Sequence, residues 1–174
     1  MKNKNTLTKV FLAISLLLLL SLTGCDPDNL KKEPETEGST GDAINTALLL
    51  QLVNNKRTSG CNCGTEYFAP TNQLTWNTKL TLAAYDHSSD MNKKNFFDHT
   101  GSDGSDSGVR IERRGYQWKA CGENIAKGYT SEQSVINGWL ESPGHCRNIM
   151  NPVFKEMGVS KVGPYWTQVF AAPK

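Results

Sequence analysis

The chain has 174 residues, of which 37% are hydrophobic and 21% charged. This length exceeds that of a disulfide-only miniprotein and falls short of two ordinary domains. The formal net charge is +2, but Lys2, Lys4 and Lys9 lie in a segment that we predict to be removed; without these three, 16 basic residues face 17 acidic ones. This balance excludes the basic surface that a nucleic-acid partner would need.

The N-terminus resembles a bacterial lipoprotein signal. Lysines precede an apolar run over Val10–Leu20, and Thr23-Gly24-Cys25 then resembles the lipobox, the cleavage site of such signals. The run is well short of the roughly 20 residues that a membrane-spanning helix needs. We therefore predict a signal peptide over residues 1–24 and a lipidated Cys25 carrying acyl chains such as palmitate. The alternative is an ordinary cleaved signal with an incidental cysteine.

Residues 25–41 are rich in Pro, Glu, Ser and Gly and lack apolar periodicity, which predicts a flexible acidic tether. The lipid on Cys25 would hold the mature chain to a membrane. We expect an extracytoplasmic location in the cell envelope, on the periplasmic face or the cell surface. The folded domain is predicted over residues 42–174.

In that domain the pattern places helices first and strands last, which implies an α+β fold. The predicted helices run from a cap at Asp42 to about Arg57, from Asn77 or Thr78 to about Asn95, over Val109–Arg114, and from the capping box at Thr130–Gln133 to Pro143. The predicted strands are Met157–Val162 and Tyr165–Ala171.

Four cysteines lie in the folded part: Cys61, Cys63, Cys121 and Cys146. An even number in an exported chain favours disulfides, and four cysteines allow three pairings. A Cys61–Cys63 bridge would close a very short, strained loop, so the other two pairings stay open. A four-thiolate metal site is the rival hypothesis, and both the Cys-x-Cys spacing and the exported setting disfavour it.

Five stretches in a fixed order carry a family resemblance. They are His87–Met91, Asn95–Gly104, the Gly-Glu-Asn-Ile-Ala stretch at 122–126, the Gly-Trp-Leu-Glu-Ser-Pro-Gly-His stretch at 138–145, and Tyr165–Phe170. Together they resemble the bacterial branch of the CAP superfamily (cysteine-rich secretory proteins, antigen 5, pathogenesis-related 1) over residues 44–171. The resemblance implies an α-β-α sandwich with a small antiparallel sheet between helical layers. It also implies a Cys63–Cys146 disulfide, which leaves Cys61 and Cys121 as the second pair.

The cleft of the eukaryotic family members is lined by two His and two Glu. His99 matches the first His and Glu123 the first Glu. The second Glu position holds Ser142, with Glu141 one residue earlier, and the second His position holds Tyr165. The four-residue set is therefore incomplete in this chain. We expect these departing residues, together with Gln168, to form the cleft wall.

The bacterial branch has a histidine in its Ser-Pro-Gly-His turn, here His145, and we infer that it replaces the missing ligand. His99, Glu123 and His145 would then form a three-ligand site for a divalent metal such as zinc. The same side chains could instead perform acid–base chemistry without metal, or form a structural hydrogen-bond network. His87 lies on the apolar stripe of its helix, so we expect it to be packed and hydrogen-bonded rather than a ligand.

Three functions follow from these alternatives. The leading hypothesis is a binding or interaction module for an envelope ligand or protein, because the fold alone implies no catalytic mechanism. The second is a metal-dependent hydrolase, peptidase-like, that uses His99, Glu123 and His145. The third is a purely structural envelope protein. The serines lack the Gly-x-Ser-x-Gly form of a nucleophile elbow, so the sequence makes an enzyme the less favoured interpretation.

Overall fold

The structure is a computed structural model that describes residues 41–174. The predicted signal peptide (1–24), the predicted lipidated Cys25 and all but the last residue of the tether (25–41) lie outside the described residues. The described elements are α1 (Thr46–Ser59), β1 (Cys61–Cys63), β2 (Glu66–Phe68), β3 (Thr75–Trp76), α2 (Thr78–Lys94), α3 (Ser107–Arg113), β4 (Trp118–Lys127), α4 (Glu132–Glu141), α5 (Pro143–Met150), β5 (Glu156–Val162) and β6 (Tyr165–Pro173). Between residues 41 and 174, no helix has the length and apolar character to cross a bilayer.

Four strands form the central sheet in the order β3-β5-β6-β4. Strand β6 pairs antiparallel with both β4 and β5, whereas the two-residue β3 pairs parallel with β5. The sheet is therefore antiparallel except at the β3 edge. Strands β1 and β2 form a separate antiparallel hairpin. Strand β4 lies at the edge of the sheet opposite β3.

Alternate residues of β6 pack against helices on opposite faces of the sheet. Val169 and Ala171 belong to a buried cluster with residues of α2 and α3. Trp166 and Phe170 belong to a larger buried cluster with residues of α1, α4 and α5. The predicted α-β-α sandwich is confirmed, with α2 and α3 in one helical layer and α1, α4 and α5 in the other.

Helix α1 begins later than the sequence predicts. Its N-cap is Asn45, whose side chain accepts a hydrogen bond from the Leu48 N–H at 2.9 Å. Asp42 is drawn away by strand β5, because its N–H donates to the Lys161 carbonyl at 2.7 Å and its carboxylate pairs with the Lys161 ammonium at 2.7 Å. An N-cap side chain accepts a hydrogen bond from a backbone N–H two or three residues further along the chain. Asn45 is in that position for α1, whereas Asp42 is not.

Two of the other differences from the predicted pattern concern the elements that carry His145 and Glu123. Pro143 ends α4 as predicted, but it also opens α5, so the Ser-Pro-Gly-His segment is the first turn of a helix. Proline is well tolerated there, because the N–H it lacks would have no helical partner. Strand β4 was not predicted, because its second half is buried on both faces and so lacks polar–apolar alternation. Glu123 and Asn124 lie in the middle of this strand.

The C-terminal end of α5 is held by a buried arginine. The Arg57 side chain of α1 is fully buried and donates to the carbonyls of Ile149 and Asn151 at 2.7 and 2.9 Å, and to that of Asn72 at 2.8 Å. Burial lowers the pKa of Arg57 to about 10. These carbonyls compensate the buried charge, and they fix α5, which carries His145 and Cys146, against α1.

A disulfide joins Cys63 of β1 to Cys146 of α5, with a Cα–Cα distance of 5.4 Å. This is the pairing that the family resemblance implies. Cys61 and Cys121 both carry free thiols, so the second expected bridge, Cys61–Cys121, is not formed. Cys121 pairs in β4 with Ala171 and packs on the α2–α3 face, whereas Cys61 packs against the cluster on the other face. The sheet separates the two thiols, which also removes the four-thiolate metal site as an interpretation.

Candidate functional site

The centre of the candidate site is the buried carboxylate of Glu123. Glu123 pairs with Val169 across the sheet, so its side chain points to the α2–α3 face. One carboxylate oxygen, Oε1, accepts from His99 Nδ1 at 2.8 Å, and the other, Oε2, accepts from Arg110 Nη2 at 2.7 Å. The Glu123 and Arg110 side chains are each 4% exposed, whereas that of His99 is 56% exposed. A buried ion pair thus supports an exposed imidazole.

Arg110 also fixes the backbone of the loop that carries His99. Its guanidinium donates to the carbonyl of Ser105 at 2.8 Å and to the carbonyl of His99 itself at 3.1 Å. A second contact holds the same loop, because the Asp90 carboxylate of α2 accepts from the N–H and hydroxyl of Ser102 at 2.7 and 2.6 Å. His99 is therefore held at both its ring and its main chain.

His87 lies beneath this pair and is fully buried, as expected from its position on the apolar stripe of α2. Its Nε2–H donates to the Asp98 carbonyl at 2.8 Å, and the same nitrogen is 3.7 Å from Glu123 Oε1. His87 Nδ1 is buried and has no hydrogen-bond partner among residues 41–174. Burial lowers the pKa of His87, so the ring is held neutral with its proton on Nε2.

On the other face of β4, a network of side-chain amides joins the sheet to α5. Asn124 Nδ2 donates to the His145 carbonyl at 3.2 Å and to Gln168 Oε1 at 3.1 Å. Asn148 Nδ2 donates to the Glu123 carbonyl at 3.1 Å and to Asn124 Oδ1 at 2.9 Å. The adjacent residues Glu123 and Asn124 thus position His99 from one face of the sheet and His145 from the other.

A cleft of about 290 Å³ opens beside His145. Its lining combines apolar, aromatic and polar groups: Phe97, Ile125, Ala126, Lys127, Tyr129, Gly138, Trp139, Ser142 and His145. Phe97 is 49% exposed although it is a large apolar side chain. Because Phe97 is two residues from His99, the loop that presents the imidazole also presents an aromatic ring to this cleft.

The His99 and His145 rings differ in their electrostatic setting. The pKa of His99 is raised, first by its hydrogen bond to Glu123, although burial opposes this. The pKa of His145 is lowered, first by burial and then by the charge of His99. Relative to a free imidazole, the site therefore favours the charged form of His99 and the neutral form of His145.

The two directions give opposite pH dependences of stability. A raised folded-state pKa means that His99 stabilises the fold in full below the unfolded-state value of about 6.5, and this contribution is lost as the pH rises through the folded value. His87 and His145 have lowered values, so their charging opposes folding as the pH falls below about 6.5.

The expected metal ligands do not form a metal site in this geometry. Both oxygens of Glu123 are engaged, and the partner of Oε2 is the cation of Arg110, which would repel a divalent ion. Among the described residues, the only three ligand atoms that approach within 4.8 Å of one another are sulfurs of cysteines. His99, Glu123 and His145 therefore do not fit zinc, and the structure gives no support to a hydrolase built on it.

The remaining predicted cleft residues are dispersed. Ser142 lines the cleft, but Glu141 lines a different cavity, beside Cys61. Tyr165 is buried beneath Lys127, whose ammonium lies 4.7 Å from the centre of the Tyr165 ring. Gln168 is fully buried in the amide network. Only Ser142 of these four belongs to the cleft wall.

Arg110 and Asn148 were not among the predicted site residues, and His87 was expected to be packed and hydrogen-bonded rather than a ligand. One feature of the sequence could have indicated Arg110 as a site residue: it is a basic residue on the short helix that directly follows the Gly/Ser/Asp loop. The sequence contains no signal for a Glu123–Arg110 contact, because the two residues lie on different elements and meet only when α3 packs against β4.

Comparisons with known proteins agree with this architecture. The Cysteine-rich secretory protein family (CAP) matches residues 50–170. Among curated relatives, Bacillus subtilis YkwD is 40% identical over 93 residues, which cover 52% of this chain and 36% of YkwD. The B. subtilis membrane protein YlbC is 32% identical over 98 residues, covering 56% and 28% of the respective chains. This chain thus spans about a third of the length of these relatives.

Solved structures show the same fold. An extracellular Bacillus anthracis protein containing an SCP domain superposes with a TM-score of 0.64 at 28% identity, covering 72% of this chain and 39% of that one. An outer surface protein of Borrelia burgdorferi superposes with a TM-score of 0.64 at 20% identity, covering 77% and 99%. With the family matching most of the folded part, this chain is a member of the CAP family, the cysteine-rich secretory protein family.

Proposed function

We propose that this protein is an extracytoplasmic binding module of the cell envelope, anchored by lipid on Cys25. The lipobox-like sequence before Cys25 supports the anchor. The extracellular protein of B. anthracis and the outer surface protein of B. burgdorferi support the location, since both carry this fold outside the cytoplasm. The acidic tether would allow the domain to reach ligands away from the membrane surface.

The observation that carries the binding role is the fixed, exposed His99 ring, which lies two residues along the chain from Phe97 of the cleft lining. A hydrogen bond to a buried carboxylate orients this ring, so a ligand does not have to order it on binding. Phe97 offers a face for stacking. The Lys127 ammonium favours an anionic group, as does the His99 ring when it is protonated. The cleft is open and its lining is partly polar, which suits a cell-wall glycopeptide better than an acyl chain.

A titration with muropeptides, the soluble disaccharide–peptide fragments of cell wall, tests this function. We expect these fragments to shift the amide NMR signals of residues that line the cleft. Phe97→Ala and His99→Ala should each weaken binding by about tenfold, the loss of one stacking or charged contact. Tyr67→Ala is the matched control, because Tyr67 is an exposed aromatic residue on the β1–β2 hairpin, 63% exposed. Equal affinity for the parent and Phe97→Ala would contradict the proposal, as would no binding by the parent.

A further inference from the structure

Three cysteine sulfurs lie together where the β1–β2 hairpin meets α5. Cys61 Sγ is 3.9 Å from Cys146 Sγ, and the sulfurs of Cys61, Cys63 and Cys146 all lie within 4.8 Å of one another. Cys63 and Cys146 form the disulfide and are fully buried, whereas Cys61 keeps a free thiol and is partly exposed. The free thiol therefore lies beside a disulfide that solvent does not reach.

Strand geometry explains why two cysteines face one partner. In the hairpin Cys61 pairs with Phe68 and Cys63 with Glu66. Residues two apart on a strand point to the same side, so both thiols face α5 while Asn62 points away. The Cys61 thiol, like that of Cys63, therefore lies close to Cys146, with 3.9 Å between the Cys61 and Cys146 sulfurs.

A cavity of about 230 Å³ gives access to Cys61. It is lined by Lys56, Cys61, Asn62, Asn137, Leu140 and Glu141, and it shares none of these residues with the cleft beside His145. Burial raises the pKa of the Cys61 thiol, and the positive charge of Lys56 acts in the opposite direction. The reactive thiolate would thus form next to a cation and at the wall of a cavity of small-molecule size.

We propose that Cys61 is a thiol–disulfide exchange site that connects the buried disulfide to small thiols entering this cavity. In the first step the Cys61 thiolate attacks Cys146 Sγ, the Cys61–Cys146 bond forms, and Cys63 leaves as a thiolate that takes up a proton. In the second, the thiolate of the small thiol attacks Cys61 Sγ to form a mixed disulfide, and Cys146 leaves as a thiolate that is protonated. Each step exchanges one sulfur–sulfur bond for another, so no oxidant is needed.

The first test removes the native partner of Cys146. In the full chain carrying Cys121→Ala, so that no other thiol of the β-sheet competes, Cys63→Ala is equilibrated in a glutathione redox buffer. We expect peptide mapping by mass spectrometry to find a Cys61–Cys146 disulfide. If the variant is folded by circular dichroism but Cys61 and Cys146 are both alkylated by iodoacetamide, the proposal is wrong.

The second test does not depend on that variant folding. Starting from the Cys121→Ala chain with its Cys63–Cys146 bridge intact, reduction by reduced glutathione is followed by quenched alkylation, with and without Cys61→Ala. We expect loss of Cys61 to slow reduction by at least about tenfold, because the buried disulfide then reacts only through local opening. Equal rates would show that small thiols reach the disulfide without Cys61 and would overturn the proposal.

Discussion

Glu123→Ala is expected to destabilise the protein by about 3–5 kcal/mol, the usual cost of leaving one partner of a buried ion pair uncompensated. The Arg110 guanidinium, 4% exposed in the parent, would lose its carboxylate and keep as acceptors the carbonyl and hydroxyl of Ser105 and the carbonyl of His99. The His99 ring would also lose the hydrogen bond that orients it. Urea unfolding at neutral pH measures the change in the free energy of unfolding.

Glu112→Ala is the control for this prediction, because Glu112 is an exposed glutamate on the neighbouring helix α3. We expect this variant to change the free energy of unfolding by less than about 0.5 kcal/mol. The double variant Glu123→Ala/Arg110→Met should recover part of the loss, since no uncompensated charge is left. A cost below about 1 kcal/mol for Glu123→Ala would mean that water screens the pair, contrary to the burial described above.

Removal of the disulfide in Cys63→Ala/Cys146→Ala is expected to cost about 4 kcal/mol. The two cysteines are separated by 83 positions, and the chain-entropy argument gives a cost of this size for a loop of that length. Thermal and urea unfolding of the two chains would measure it. Cys121→Ala, which removes a free thiol in the same protein, should lie within about 1 kcal/mol of the parent.

The single variant Cys63→Ala shows whether Cys61 can replace Cys63 as the disulfide partner of Cys146. If Cys61 takes the place of Cys63, the single variant keeps a bridge and should retain most of the stability that the double variant loses. If the single and double variants are equally unstable, then the loop is not reclosed. Equal stability of the parent and of Cys63→Ala/Cys146→Ala would contradict the cost predicted for the double variant, because it would mean that losing the bridge gives the unfolded chain no extra conformational freedom.

Local sequence signals predicted those parts of the fold that depend on local interactions. Helix α2 begins after Asn77 and ends at Lys94, close to the predicted limits, because a side-chain cap and an apolar stripe define it. The strands β5 and β6 follow from alternation and the turn at Gly163-Pro164. Strand β4 could not be predicted in this way, since its burial on both faces depends on the helices that cover it.

The candidate site was only partly predictable. The family resemblance brought His99 and Glu123 together, and the structure places them 2.8 Å apart. The resemblance could not predict Arg110, whose position depends on the packing of α3. Because Arg110 forms an ion pair with Glu123, the Glu123 carboxylate is not available as the expected metal ligand. The assignment of Cys61 and Cys121 as a pair failed because sequence counting does not show which face of the sheet each thiol occupies.

Histidine-ring NMR of the full chain would test most directly whether the Glu123 carboxylate, held by Arg110, fixes the His99 ring. The chain has three histidines, so each ring can be followed from pH 4 to 9. We expect the pKa of His99 to lie above those of His87 and His145 and above its ordinary value of about 6.5. In Glu123→Gln the pKa of His99 should fall toward that ordinary value. A parent His99 that titrates at or below about 6.5 would contradict the account, because the ring would then not be bonded to a buried carboxylate.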